Sequence, residues 1–195
     1  MTASDALERW ARWYADAPPV GFLLREAYPE RWLRIYSLPG GKRYPTSGFE
    51  YAEILRRHNA VAENVLGSES SCVALLLHTC RGRGSRAVGR AAQLTSFGLS
   101  RLTALPLQLS DEREGVFAAP MCIFGMQVTW RSGAYDRLLL EVADDRTHGL
   151  IVNMESGRVY APYDGGADLF YASEMERDLA RERFQSWISP REDGL

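Results

Sequence analysis

The stretch GLIVNMESGRVYAPY, residues 149–163, contains two short apolar runs separated by only three residues, Glu155, Ser156 and Gly157. Each run has the length and the content of β-branched and aromatic residues that are typical of a strand. A connection this short joins antiparallel neighbours, because a parallel crossover needs a dozen residues or more. The stretch therefore predicts an antiparallel hairpin, which decides the fold class.

Apolar segments on the N-terminal side of this hairpin also have strand character. Residues 121–130 and 134–143 precede it and are followed by short turns, so we expect a meander in the C-terminal half. Earlier in the chain, strands are predicted at WLRIYSL (32–38) and SCVALLLHTC (71–80), and LPLQL (105–109) is a further candidate. The sequence therefore predicts an antiparallel sheet of about five to six strands.

Helical patterns surround the predicted strands. Ser47 followed by Glu50, and Ser173 followed by Glu176, each form a capping box before a segment with apolar residues at helical spacing. We expect an α+β fold in which the helices pack mainly on one face of the sheet. The length of 195 residues predicts a single domain over 1–195, with residues 1–20 as an N-terminal helical appendage.

Composition narrows the classes of partner and the compartment. The formal net charge is −2, and the three cysteines are an odd number without CxxC spacing. This cysteine usage indicates a reducing compartment. The longest apolar run, VALLL, is too short to span a bilayer, and the N-terminus lacks the pattern of a signal peptide. We therefore expect a cytoplasmic protein with no membrane partner, and the acidic C-terminal third argues against nucleic acid.

The segment APYDGGADLF, residues 161–170, holds the most distinctive candidate site. Asp164 and Asp168 flank the pair Gly165-Gly166. One interpretation makes the acids a catalytic or metal-binding pair, and another makes the segment a turn in which the glycines take positive φ. A third has the segment present Tyr163 and both carboxylates outward to a basic partner. We predict no metal site, because no further ligand is linked to the segment by spacing.

Two basic segments are candidates for binding an anion. Lys42 and Arg43 follow a Gly-Gly turn, and a Gly-rich stretch contains Arg81, Arg83 and Arg86. Neither segment matches GxGxxG or a P-loop, so no nucleotide cofactor is predicted. Each is interpreted either as a solvated connection or as part of a clamp for a phosphate or carboxylate.

No catalytic motif is visible among the histidines, serines and cysteines. The chain contains no HExxH and no GxSxG, although a triad assembled from distant residues stays open. His58 lies on the apolar stripe of the helix that follows Ser47, which predicts a buried histidine with a backbone partner. We therefore expect no catalytic residues and no cofactor.

Two segments resemble a known group of proteins. RIYSLPGGKRYP with EYAEILRRHN near the start, and YAPYDGGADLF with WIS and GL near the end, resemble small cytosolic single-domain bacterial proteins of unknown function. The resemblance covers roughly residues 31–66 and 157–195, and its most distinctive motif is PYDGGAD. Compact α+β proteins of this kind are similar to immunity proteins encoded beside polymorphic toxins. The resemblance supplies no catalytic residues.

Together these observations predict a non-enzymatic binding protein, an immunity protein that masks a cognate toxin domain. Acidic clusters suit this role, because charge complementarity speeds encounter with a basic partner. The expected docking surface consists of Tyr163, Asp164, Asp168, Glu174, Glu176 and Asp178. The alternative is an enzyme or small-ligand binder for a phosphorylated or carboxylated compound, with the basic segments as the clamp and Asp164 or Asp168 as the base.

Overall fold

The computed structural model describes residues 3–79, 104–107 and 121–191. Within these ranges the chain forms five α-helices: α1 (Ala3–Trp13), α2 (Gly21–Ala27), α3 (Gly48–Leu66), α4 (Asp136–Ala143) and α5 (Glu174–Arg183). It also forms seven strands: β1 (Trp32–Tyr36), β2 (Ser71–Thr79), β3 (Ala104–Leu107), β4 (Met121–Thr129), β5 (His148–Asn153), β6 (Arg158–Tyr163) and β7 (Gly166–Phe170).

All seven strands belong to one sheet in the order β1-β7-β6-β5-β2-β4-β3. Every neighbouring pair is antiparallel, so the predicted α+β class with an antiparallel sheet is confirmed. The hairpin predicted from residues 149–163 is the β5–β6 pair, and β7 extends it into a meander. The first strand, β1, pairs with the outer side of β7 and forms one edge of the sheet.

The sheet carries a hydrophobic core on each face. Helices α3, α4 and α5 cover the first face, where Val61, Leu139 and Ala180 pack against strand residues such as Ile151 and Leu169. Helices α1 and α2 cover the second face. Of the five helices in the described ranges, three therefore lie on the first face and two on the second.

Residues 1–20, expected to be an appendage, contribute to the second core. Trp10 and Tyr14 of α1 are 3% and 1% exposed, and they pack with strand residues such as Val159 and Phe170. The Tyr14 hydroxyl also donates a hydrogen bond to the carbonyl oxygen of Gly157 in the β5–β6 turn. Helix α1 is therefore held to the sheet by both apolar and polar contacts.

Both predicted capping boxes are present. The Ser47 hydroxyl accepts from the backbone N–H of Glu50, and the Ser173 hydroxyl accepts from that of Glu176. The two glutamates reach back one residue beyond the cap, to the backbone N–H groups of Thr46 and Ala172. These bonds satisfy N–H groups at the helix starts, which fixes where α3 and α5 begin.

The strand predicted over residues 134–143 is wrong, because this segment forms helix α4. Leu138, Leu139, Val142 and Ala143 are buried, and their spacing matches one face of a helix. A run this short fits both the helical and the strand spacing of apolar residues, so the sequence alone did not distinguish a helix from a strand. Helix α4 follows β4 and precedes β5 in the chain, whereas in the sheet β2 lies between these two strands.

The turn interpretation of segment 161–170 holds only for its middle, because residues 166–170 form the buried strand β7. Tyr163 pairs with Gly166, so only Asp164 and Gly165 connect β6 to β7. Neither Gly165 nor Gly166 has the positive φ that the turn interpretation assigned to them. Glycine is needed at 166 because a Cβ there would lie 2.0 Å from the carbonyl oxygen of Ile35 on β1.

Candidate binding sites

Asp168 lies at the centre of a buried ion pair between β1 and β7. Its side chain is 5% exposed, and both of its carboxylate oxygens accept hydrogen bonds. Oδ1 accepts from Nε1 of Trp32 at 2.8 Å and from Nε of Arg34 at 2.9 Å, and Oδ2 accepts from Nη2 of Arg34 at 3.2 Å. The prediction that this carboxylate faces outward is wrong, because a guanidinium and an indole hold it inside the fold.

The strand register brings this pair together. Arg34 is directly opposite Asp168 in the β1–β7 ladder, so their side chains leave the same face of the sheet. Arg34 also lies between two rings, with Cζ at 5.4 Å from the Trp32 ring centre and 5.0 Å from that of Tyr163. Burial opposes the charge of Arg34, but its hydrogen bonds with Asp168 and the charge of that carboxylate outweigh this effect. The pKa of Arg34 is therefore raised.

Asp164 is held by a second arginine in the β6–β7 connection. Its side chain is 4% exposed, and its Oδ2 accepts from Nε of Arg43 at 2.5 Å. The side chain of Arg43 is itself 62% exposed, so this pair lies at the surface on its arginine side. The prediction that Asp164 faces outward is wrong for the same reason as at Asp168.

This contact joins the first of the two basic segments to the segment that contains Asp164. Residues 39–45 and 163–168 meet through Arg43 and Asp164, whereas Arg81, Arg83 and Arg86 lie outside the described residues. Lys42, the other predicted cation, pairs with Glu50 at 2.6 Å. That hydrogen bond and the one from the Thr46 backbone lower the pKa of Glu50 to about 2. Both described cations of the predicted clamp therefore face a carboxylate.

The three acids of the predicted α5 surface differ in their surroundings. Glu176 accepts two hydrogen bonds from the guanidinium of Arg158 on β6, and this contact lowers its pKa. Glu174 and Asp178 are 66% and 56% exposed, and both pair with Arg177. Of these three acids, Glu174 and Asp178 therefore present their carboxylates on the protein surface.

Two large apolar side chains accompany these exposed acids. Met175 is 75% exposed and Leu179 is 62% exposed, one helical turn apart on α5. Beside Leu179 lies a groove of about 240 Å³ between α3 and α5, which is also lined by Asn64, Tyr171 and Arg183. Exposed large side chains beside a concave surface are typical of protein contact sites.

A cleft of about 180 Å³ opens above the Arg34–Asp168 pair on the second face of the sheet. The start of α2 forms one side of it, and β1, β5, β6 and the end of β2 form the others. Tyr163, the remaining residue of the predicted docking surface, lines this cleft with Arg34 and Asp168. Its pKa is raised, chiefly by burial.

His58 is at the centre of a second polar cluster, on the first face of the sheet. Its Nε2 lies 2.7 Å from the hydroxyl oxygen of Ser37, and its Nδ1 lies 2.6 Å from that of Tyr160. Burial and the neighbouring charge of Arg57 lower the pKa of His58 to about 4, so the ring is neutral at pH 7. The prediction of burial is confirmed, but the partners are side chains. All three residues are at most 2% exposed, so this Ser–His contact has no access to a substrate.

Two further observations concern metals and membranes. Within residues 3–79, 104–107 and 121–191, no three His, Cys, Asp or Glu side chains are grouped so as to hold a metal ion. The helices in the same ranges are all too short or too polar to cross a membrane.

The functional residues that the sequence missed are Trp32 and Arg34. One signal was present: in WLRIY, alternation places Trp32, Arg34 and Tyr36 on one face of a strand. An arginine in the middle of a strand calls for an anionic partner. The sequence did not reveal that the partner is Asp168, because the two residues are 134 positions apart and β7 was not recognised as a strand.

The fold and these sites define an α+β protein with one antiparallel sheet, a cleft above a buried ion pair, and an apolar and acidic surface on α5. The chain belongs to the family described as Domain of unknown function (DUF3885), whose model matches residues 20–192. Neither a curated protein nor a solved structure matches the chain.

Proposed function

We propose that this protein is a non-enzymatic cytoplasmic binding protein, and that it acts as an immunity protein that neutralises a cognate bacterial toxin by masking it. The observation that carries the proposal is the exposed surface of α5, which combines Met175 and Leu179 with Glu174 and Asp178. The docking surface is revised accordingly: Tyr163, Asp164, Asp168 and Glu176 leave it, Glu174 and Asp178 stay, and the two apolar residues enter it.

The spacing on α5 gives this surface a simple order. Glu174 and Asp178 are one turn apart and form a ridge, and Met175 and Leu179 form the adjacent ridge. Contact surfaces between proteins commonly combine an apolar centre with a polar rim. The apolar ridge supplies the centre here, and the acidic ridge supplies one side of the rim.

The charges favour a partner with basic groups around an apolar pocket. Helix α5 carries the acids Glu174, Glu176, Asp178 and Glu182 against three arginines, which gives it a net charge of −1. Arg177 holds Glu174 and Asp178 in place and leaves their outer oxygens available to a partner's lysine or arginine. A toxin domain with a basic active site has this chemistry, and complementary charge would speed its capture.

The proposal is tested by co-expression with the product of the adjacent open reading frame. That product alone is expected to stop growth, and co-expression with this protein is expected to restore it. The double variant Met175→Asp/Leu179→Asp should remove protection and weaken binding more than about 100-fold, because buried anchor residues each contribute about 2 kcal/mol or more. If the neighbouring product is harmless alone, the immunity function is wrong.

A matched control is available on another helix. Phe49 at the start of α3 is 91% exposed, so Phe49→Asp introduces the same kind of change away from α5. This variant should protect as well as the unmodified protein. Full protection by the α5 double variant would show that α5 is not the docking surface.

A further inference from the structure

The cleft above the Arg34–Asp168 pair has the features of a binding site for a small molecule. It measures about 180 Å³, which corresponds to about six water molecules at about 30 Å³ each. Its walls are largely apolar and include Pro19, Phe22 and Leu77. Pockets that combine apolar walls with a few polar groups commonly bind small ligands.

The floor of the cleft offers hydrogen-bond donors. Both oxygens of Asp168 are occupied by Trp32 and Arg34. Arg34 uses Nε and Nη2 for this contact, and within the described residues no hydrogen bond engages its Nη1. A guanidinium has five N–H donors, so part of it is available to a ligand.

Tyr163, which lines the same cleft, carries a second donor in its hydroxyl group. Its ring packs against the guanidinium of Arg34, with 5.0 Å between the ring centre and Cζ. Across the part of the chain that the structure describes, this hydroxyl takes part in no hydrogen bond. Burial raises the pKa of Tyr163, so the hydroxyl keeps its proton at neutral pH and is able to donate it.

We propose that this cleft binds a small monocarboxylate. One carboxylate oxygen accepts from Nη1 of Arg34, the other accepts from the Tyr163 hydroxyl, and the apolar body of the ligand contacts Phe22 and Leu77. Hydrogen bonds to a charged acceptor are stronger than those to a neutral one, which favours a carboxylate over an amide. Asp168 already balances the charge of Arg34, so a single negative charge suits the site better than a phosphate dianion.

Three planar probes of nearly equal size test this assignment: benzoate, benzamide and benzamidine. Titrations followed by NMR should give the tightest binding for benzoate, with shifts in the signals of β1, β6 and β7. Binding of benzamide at equal strength would show that the negative charge is not recognised. Tighter binding of benzamidine would show that Asp168, and not Arg34, recognises the ligand. Either result, or no binding of benzoate at millimolar concentration, would overturn the proposal.

Variants then locate the bound probe. Tyr163→Phe should weaken benzoate binding about 5-fold, which corresponds to one hydrogen bond. Leu77→Trp should abolish binding by filling the cleft. Arg34→Lys keeps a positive charge beside Asp168 but removes the planar fork, so it should also abolish binding.

The matched control is Tyr171→Phe. It removes a hydroxyl that bonds Asn64 on the opposite face of the sheet, so benzoate affinity should not change. Each variant is first checked by its thermal transition. If Arg34→Lys does not fold, Tyr163→Phe and Leu77→Trp decide the question, and unchanged affinity in both would overturn the proposal. The α5 variants leave this cleft intact, so its failure and that of the proposed function are distinguishable.

Discussion

The two faces of the sheet bury polar groups in two different ways. On the second face, Arg34 and Asp168 form an ion pair beside an open cleft. On the first face, Ser37, His58 and Tyr160 form an enclosed cluster in which the histidine is neutral. The comparison indicates that a buried side chain keeps its charge where the neighbouring strand places an opposite charge directly beside it. The His58 ring, which is fully buried among hydroxyl partners and lies near the positive charge of Arg57, is neutral instead.

The Asp164–Arg43 pair is intermediate between the two clusters. Its carboxylate is as buried as that of Asp168, but its arginine is 62% exposed, against 14% for Arg34. Water can therefore reach this pair from the arginine side. Two substitutions and one pH series compare how strongly the stability of the protein depends on each of these three polar groups.

Removal of the buried arginine should have the largest effect. Arg34→Met leaves the carboxylate of Asp168 buried without a counter-charge, which we expect to lower the free energy of unfolding by about 3–5 kcal/mol in urea denaturation. The double variant Arg34→Met/Asp168→Leu should recover most of this loss, because no charge remains buried. The exposed pair Arg131–Glu69 supplies the control, since Arg131→Met should change stability by less than about 1 kcal/mol. Equal effects at both arginines would contradict the comparison.

The second-largest loss of stability is expected on acidification, and it should come mainly from the cluster of Ser37, His58 and Tyr160. The pKa of His58 is about 4 in the folded protein, against about 6.5 in the unfolded chain, so the unfolded state binds more protons between these values. Stability is therefore full above pH 6.5 and falls as the pH drops towards 4, by up to about 3 kcal/mol.

Unfolding free energies measured at pH 7.0, 5.5 and 4.5 test this dependence. His58→Gln should be less stable at pH 7 but should have a flatter slope over this window. His148→Gln serves as the control for the substitution itself, because it replaces a histidine at the surface, 51% exposed, outside this cluster. If the stability of His58→Gln fell with pH as steeply as that of the unmodified protein, another titratable group would be responsible for the pH dependence.

The smallest effect is expected at the intermediate pair. Arg43→Ala removes an exposed partner from Asp164, and water can replace part of the lost contact, so we expect a loss of about 1 kcal/mol. The measurement is again urea denaturation, alongside Arg34→Met. A loss as large as that of Arg34→Met would show that exposure of the arginine does not separate the two pairs.

Much of the fold was predictable because it depends on local patterns. The hairpin at residues 149–163, the strands at 32–38 and 71–80 and the two capped helices each satisfy one periodicity and one set of boundary residues. Helix α4 was not predicted, because DRLLLEVA is too short to separate a buried helix from a buried strand. Strand β7 was not predicted, because Gly166 and Asp168 interrupt its short apolar pattern.

The candidate site was predictable only in part. Tyr163 and Asp168 were identified from the motif, but their partner Arg34 was not, and the direction assigned to the carboxylate was wrong. The same motif supports a turn or a strand until the neighbouring strand is known. Gly166 illustrates this: glycine is required there because the backbone of Ile35 lies too close to leave room for a Cβ, and not because φ is positive.

The sequence by itself determined the antiparallel α+β class, the helix caps and the burial of His58, because these follow from residue spacing and from chemistry within a few positions. Only the tertiary structure decided that Asp164 and Asp168 face arginines rather than a partner, and that the cleft and the α5 surface lie on opposite faces of the sheet. The physical reason is that strand order and register fix which distant side chains meet. A buried carboxylate is tolerated only where that register supplies a cation.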